Sequence, residues 1–199
     1  MSLSSPIPTL MKALVLCTVL APVQGWASSL YSFDTEGSDI SVDYVFSGLS
    51  TQSLLFRDFE GRFTIDFDNP SKSEVDVTIR AESVRTSVGF FSELLRGTDF
   101  FDTANHPDAT FKSTSVERIA MDSYQVTGDL MIKGITRSVT LIARQTGQAG
   151  TANDPARTLL FELEGQLKRS DFDLGVNAPL TSDEVDLRIQ TELVRVTKS

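Results

Sequence analysis

Four stretches of this chain alternate between apolar and polar residues with a period of two. Phe59, Gly61, Phe63, Ile65 and Phe67 interleave with Glu60, Arg62, Thr64, Asp66 and Asp68. Val75, Val77 and Ile79 interleave with Asp76, Thr78 and Arg80. Leu159, Phe161, Leu163 and Leu167 share one phase against Leu160, Glu162, Glu164 and Lys168, and Val185, Leu187 and Ile189 against Asp186, Arg188 and Gln190. Side chains change face at each residue of a strand, so every such run has one dry side and one wet side. The chain holds no long amphipathic helix to cover the dry sides. A sheet closed on itself hides them in its own interior and leaves no edge. The expectation is an all-β fold: an eight-stranded antiparallel barrel with one short helix between its third and fourth strands.

The strands are placed as follows. The first covers residues 30–33 and 40–46, bent at Gly37-Ser38-Asp39, with Ile40, Val42, Tyr44 and Phe46 in phase. The second covers 56–67 and ends in the turn Asp68-Asn69-Pro70-Ser71, whose composition suits a reversal. The third covers 74–81. In residues 87–97, Val88, Phe91, Leu94 and Leu95 recur at helical spacing, and Gly97 can end the helix. Such a helix reads as a plug or a lid at one barrel end. A loop over 99–108 leads to a fourth strand over 109–119, where Phe111 and Val116 share a face only across a bulge. Ser113 and Ser115 would then put hydroxyls toward the interior. The fifth strand covers 124–132, with Tyr124, Val126, Leu130 and Ile132 in phase, and turns at Lys133-Gly134. The sixth covers 138–144, with Val139 and Leu141 inward. A turn-rich loop is expected over 147–156. The seventh and eighth strands are joined by residues 172–183.

The first 27 residues stand apart from this pattern. Met11-Lys12, the apolar run from Ala13 to Val23, and small residues before Ser28 have the order of a secretory signal peptide, with cleavage expected after Ala27. Met11 is an alternative start. The apolar run is too short to span a bilayer. Cys17 suggests a lipoprotein site only weakly, because Leu16 occupies the place of a small residue. Cleavage would remove the only cysteine and the only tryptophan, Trp26. The barrel over residues 28–199 would then lack any disulfide in a compartment that permits them. The chain has a formal charge of −9, and its leader holds one lysine and no acid, so the processed form stands at −9 − 1 = −10. That balance disfavours nucleic acid and anionic membrane surfaces, which select clustered Lys and Arg. It suits a protein of the bacterial periplasm.

The interior positions define a candidate binding site for an apolar molecule. They are Phe46 on the first strand; Phe63, Ile65 and Phe67 on the second; Val77 and Ile79 on the third; and Phe91, Leu94 and Leu95 on the helix. Phe111, Val126, Leu130, Leu141, Phe161, Leu163, Leu187 and Ile189 complete it. Thirteen phenylalanines fill a solid core as readily as they line a tunnel, and the residues alone leave both open. No catalytic or metal site is expected. His106 is the only histidine and has no nucleophile or companion ligand marked out for it. Asp99, Asp102 and Asp108 do not match a calcium-loop spacing. Arg85 and Arg96 flank the helix and are candidates to meet a ligand's head group, with structural ion pairing as the plainer role.

Several segments, in this order, resemble the YceI family. They are Asp58-Phe59-Glu60-Gly61-Arg62-Phe63, the run Leu95-Arg96-Gly97-Thr98-Asp99-Phe100-Phe101-Asp102, and His106-Pro107-Asp108-Ala109-Thr110-Phe111. Thr127-Gly128-Asp129-Leu130, Gly134-Ile135-Thr136 and Ser182-Asp183-Glu184-Val185 follow. The resemblance implies a lipocalin-like barrel that holds a long polyisoprenoid, an isoprenoid quinone or a fatty-acyl derivative, with no cofactor. It also implies a membrane cytochrome of the b561 kind as a candidate partner. This chain departs from the family pattern at Phe46-Ser47-Gly48-Leu49, at Val88-Gly89-Phe90-Phe91 and over 147–156. The expected function is a non-catalytic periplasmic lipid carrier. The alternatives are a scaffold that partners a membrane redox protein, and a lipid isomerase, which would need an ionisable group facing inward.

Overall fold

The computed structural model describes residues 28–87, 89–151, 154–175 and 180–197, the side chain of Pro155 excepted. Residues 1–27, where a leader is expected, and Val88 fall outside the described residues. Nine strands form one antiparallel sheet: β1 (Ser29–Phe46), β2 (Ser50–Phe56), β3 (Phe59–Ile65), β4 (Glu74–Arg80), β5 (Asp108–Ala120), β6 (Ser123–Ile132), β7 (Ile135–Thr151), β8 (Asp154–Lys168) and β9 (Glu184–Arg195). Neighbours pair in the order β2-β1-β3-β4-β5-β6-β7-β8-β9, and β1 pairs with β9 to close the ring.

Nine strands make eight staves. One edge of β1 pairs with β9. Its other edge pairs with β3 through Ser29–Ser32 and with β2 through Ile40–Phe46. β2 and β3 therefore lie end to end, interrupted at Arg57 and Asp58. The expected second strand is corrected here. Its regular part is Phe59–Ile65, and Ser50–Phe56 forms a strand that alternation did not reveal. β2 buries Leu54 and Phe56 but carries Ser50, Thr51, Gln52 and Ser53 before them. It is held through backbone pairing to β1 rather than through a long dry face.

The bend in β1 falls where Gly37-Ser38-Asp39 stands: the β1–β9 register shifts between Asp34 and Asp39. A Cβ on Gly37 would come within 2.5 Å of the Glu192 side chain. The bulge in β5 lies between Ser113 and Ser115, and it brings both Phe111 and Val116 into the core. Lys133 and Gly134 both take left-handed conformations, as a two-residue hairpin with its strands in register requires.

The loop expected over 147–156 is a second correction. β7 runs on to Thr151 and β8 begins at Asp154, so most of that stretch is paired sheet. Glycine and polar composition there marks exposed, twisted strand ends, two of whose register shifts fall between Gln145 and Thr151.

One helix, α1 (Gly89–Arg96), follows β4 after a 3-10 turn at Ala81–Ser83. The segment between them is tied to the barrel by reciprocal backbone hydrogen bonds between Leu55 and Arg85, 2.8 Å each. Tyr31 stands fully buried at the opposite end. Its hydroxyl donates to the Ala156 carbonyl at 2.8 Å and accepts from Arg195 at 3.0 Å. Arg195 also pairs with Asp154 at 3.0 Å. These contacts join β1, β8 and β9 where the ring closes.

Candidate ligand cavity

The dry faces do not meet in the middle of the barrel. They enclose a cavity of about 780 Å³, within the range of small-molecule sites. Each interior position read from alternation lines it: Phe46 from β1, Phe63 and Ile65 from β3, Val77 and Ile79 from β4, Phe111 from β5, and Val126 and Leu130 from β6. Leu141 from β7, Phe161 and Leu163 from β8, and Leu187 and Ile189 from β9 do the same. Phe67 lies just beyond β3 and still faces the space, and Phe91, Leu94 and Leu95 reach it from α1. The barrel is hollow, which alternation had left open.

The hollow has a structural cause. Aromatic residues pack along the wall instead of across it. Phe33 sits edge-on to Phe59 and Phe63, with ring centroids 5.0 and 4.8 Å away. Gly61 allows this approach, since a Cβ there would lie 2.6 Å from the Phe33 ring and 2.9 Å from that of Phe63. Gly128 gives the Phe111 ring the same room on β6.

Other lining residues were not read as site residues. Phe33, Phe56, Phe100 and Phe101 extend the aromatic wall. Phe100 and Phe101 sit in the loop after the helix, where no period marks them. Among the described residues, only Asp66 and Arg169 bring charge to the lining. The Asp66 carboxylate accepts the N–H groups of Asp68 and Asn69, at 3.1 and 2.8 Å. Arg169 donates to the carbonyls of Leu174, Gly175, Thr181 and Ser182. Each of these charges has a structural partner within its own loop. Burial pushes the Tyr44 phenol up from its ordinary value, which keeps that lining group neutral.

Ser113 and Ser115 do not line the cavity. The bulge after Ser113 sets Ser115 on the opposite face from Val116, and the Ser113 hydroxyl accepts the Val75 N–H at 2.9 Å. Among the described residues, the uncharged polar points of the wall are instead Tyr44, Gln52, Ser73, Thr86, Thr181 and Thr191. Thr191 is 6% exposed, and its hydroxyl has no hydrogen-bond partner among the described residues. Arg85 and Arg96 are both held by backbone carbonyls, and of the two only Arg96 makes an ion pair among the described residues. Both donate to the carbonyls of Glu82 and Val84, and Arg96 also pairs with Glu93. The Arg96 contacts hold the helix against the turn that follows β4. Asp108 pairs with Arg80 at 2.5 Å, and Asp102 accepts from Asn105 at 3.0 Å. His106 is half-buried, and its backbone N–H donates to the Asp102 carbonyl at 2.8 Å.

A closed antiparallel barrel with a hollow apolar interior and a helix over one end defines a lipocalin-like binding fold. Residues 31–193 match the YceI-like domain, and the chain belongs to the YceI family. It is 40% identical over 169 residues to protein YceI of Escherichia coli O157:H7, covering 83% of this chain and 86% of that one. Against protein YceI of Salmonella newport it is 36% identical over 184 residues, covering 90% and 94%. The YCEI protein of Campylobacter jejuni superposes with a TM-score of 0.66 at 30% identity, over 73% of this chain and 85% of that one. Two more distant structures share the fold. BcnA of Burkholderia cenocepacia has a TM-score of 0.73 at 24% identity, over 80% and 98% of the two chains. A polyisoprenoid binding domain from Saccharophagus degradans has 0.64 at 16% identity, over 83% and 98%.

Proposed function

We propose that this protein binds a long apolar lipid inside its barrel and carries or sequesters it, without catalysis, in the bacterial periplasm. The observation that carries this reading is the cavity of about 780 Å³ whose wall is hydrocarbon and aromatic almost throughout. A cavity of this kind gains about 0.8 kcal/mol for each methylene it takes out of solvent. The family membership and the polyisoprenoid binding domain of the same fold favour an isoprenoid chain, free or attached to a quinone head, over a fatty-acyl chain. A carrier role suits the two charged lining residues, Asp66 and Arg169, since both are engaged by backbone groups rather than poised over the cavity. The leader pattern supports export.

Organic extraction of the purified protein, followed by mass spectrometry, tests the reading directly. An isoprenoid or other long-chain lipid present in near-stoichiometric amount is the expected result. Protein that carries no lipid and takes up none of a polyprenol, a quinone or a fatty acid would overturn it in favour of a scaffold role. Fractionation of the source cells tests the location, with recovery in the periplasmic fraction expected.

A further inference from the structure

The apolar surface of this protein does not stop at the cavity mouth. Phe46, Phe91, Leu94 and Leu180 line the cavity and are also solvent-exposed, so one hydrocarbon surface passes from the interior to the outside. Beside them stand Leu49, 90% exposed, and Phe90, 76% exposed, neither of which lines the cavity. Three separate segments supply this rim. The β1–β2 turn presents Leu49 through Ser47 and Gly48, both left-handed. It is fastened to the segment that carries Leu180 by the Ser47 N–H to the Leu180 carbonyl at 2.6 Å and by the Phe46–Thr181 bridge. The third is α1, which is inverted relative to a helix packed on a core. Its Ser92 is 4% exposed and its hydroxyl accepts the Thr86 N–H, while Phe90, Phe91 and Leu94 face solvent.

Charge is distributed to match. The chain has 27 acidic residues and a net charge of −9, yet no charged residue occurs between Asp43 and Arg57 or between Asp173 and Asp183. The β1–β2 turn and the stretch around Leu180 are thus without charge on an acidic body, and the charges α1 adds, Glu93 and Arg96, pair with each other. Near a membrane, an acidic body is held off an anionic surface, and this apolar end approaches most closely. Contiguous apolar surface of this kind marks an interaction site.

We propose that the mouth rim docks on the surface of a lipid bilayer, with Leu49 and Phe90 entering the interfacial region so that the cavity opens into hydrocarbon. A lipid then passes between membrane and barrel without crossing water. Aromatic and leucine side chains suit that depth, where their apolar bodies leave water at little polar cost.

The test uses phosphatidylcholine vesicles and protein whose N-terminus is defined by intact mass, the same in every variant. Wild type is expected to float with the vesicles, and raising the salt concentration should not release it. The double variant Leu49→Ser, Phe90→Ser should lose vesicle binding by about tenfold or more, since two large apolar side chains leave the contact. Neither residue lines the cavity, so lipid co-purified with the variant should match wild type. In Phe90→Trp, emission should shift to the blue on vesicle addition and be quenched by lipids brominated near the interface. Docking fails if wild type does not float, if the double variant floats equally well, or if the indole emission of Phe90→Trp ignores vesicles. Binding only to vesicles that contain a membrane protein, or loss of the rim in a dimer that excludes vesicles, also overturns it. An empty barrel that still docks would instead count against the lipid-carrier reading alone.

Discussion

Replacing Ala143 with tryptophan tests whether the interior is a continuous channel for one long chain. Ala143 is the smallest inward residue of β7, 5% exposed, and its Cα pairs across the sheet with Tyr124 on one side and Leu163 on the other. Leu141 and Val139 lie nearer the β6–β7 turn, Tyr124 stands level with Ala143, and Phe161 and Thr191 lie toward the end where Tyr31 is buried. An indole at this level enters empty space, so it avoids most of the usual overpacking cost of about 1–3 kcal/mol. For a chain of this size each kcal/mol moves Tm by about 2–4 °C, and the Tm of Ala143→Trp should stay within that interval of wild type. Binding should respond more strongly. If the indole excludes about one isoprene unit, five carbons at about 0.8 kcal/mol each are lost, or about 4 kcal/mol and a thousandfold in affinity. The assay is displacement of a lipophilic fluorescent probe by polyprenols of increasing length. A short prenol that fits above the block should bind wild type and variant alike, and the two should diverge as length increases. Affinity for the longest chain within about threefold of wild type would refute a continuous channel.

Four further outcomes are expected. Thr191→Val removes a buried hydroxyl without a partner and keeps the shape, so the empty protein should gain about 1 kcal/mol in urea denaturation; a loss would show that the hydroxyl is satisfied. Gly128→Ala puts a Cβ 2.5 Å from both the Lys112 carbonyl oxygen and the Phe111 ring, and should destabilise by on the order of 1–3 kcal/mol by the same measurement. The Asp183 carboxylate lies below its ordinary 3.8 because the Ser170 hydroxyl and N–H donate to it, so its contribution is present above that value and is lost as pH falls through the lower folded value. Ser170→Ala should therefore cost stability near neutral pH and flatten the acid limb of a Tm-against-pH curve, whereas parallel curves would deny the coupling. Intact mass of exported protein should correspond to a start near Ser28, with neither a titratable thiol nor indole fluorescence.

How much of the site could be read in advance depended on whether a residue sits in a strand with one dry face. Val77, Leu163, Leu187 and Ile189 were legible because burial on one side forces a period of two, and a register slip by one residue would put each in water. Phe111 and Val116 were legible together only by inserting a bulge; that insertion puts Ser115 on the face opposite Val116, and the Ser113 hydroxyl is taken by the Val75 N–H. β2 was hidden because its pairing partner is the far half of β1, and backbone hydrogen bonds carry no side-chain period. Phe100 and Phe101 were hidden for a similar reason. They are positioned by the turn after α1, where the Phe101 N–H donates to Leu95 and that of Asp102 to Gly97.

The helix shows why the two kinds of position also differ in function. A period of 3.6 identified Phe91, Leu94 and Leu95 as one apolar stripe, and the natural inference from a stripe is burial. Here burial goes to Ser92 and the stripe is divided, with Leu95 turned inward and Phe90, Phe91 and Leu94 left at the mouth. Hydrophobicity fixes that these side chains avoid water when something apolar is offered, and it does not say that the same chain must offer it. The strands satisfy their own dry faces by closing the ring. The helix cannot, because the space beneath it is a cavity and not a core. Its exposed phenylalanines are the places where this fold's apolar demand remains unmet by its own residues. In the proposed reading, cargo meets that demand from within and a bilayer meets it from outside.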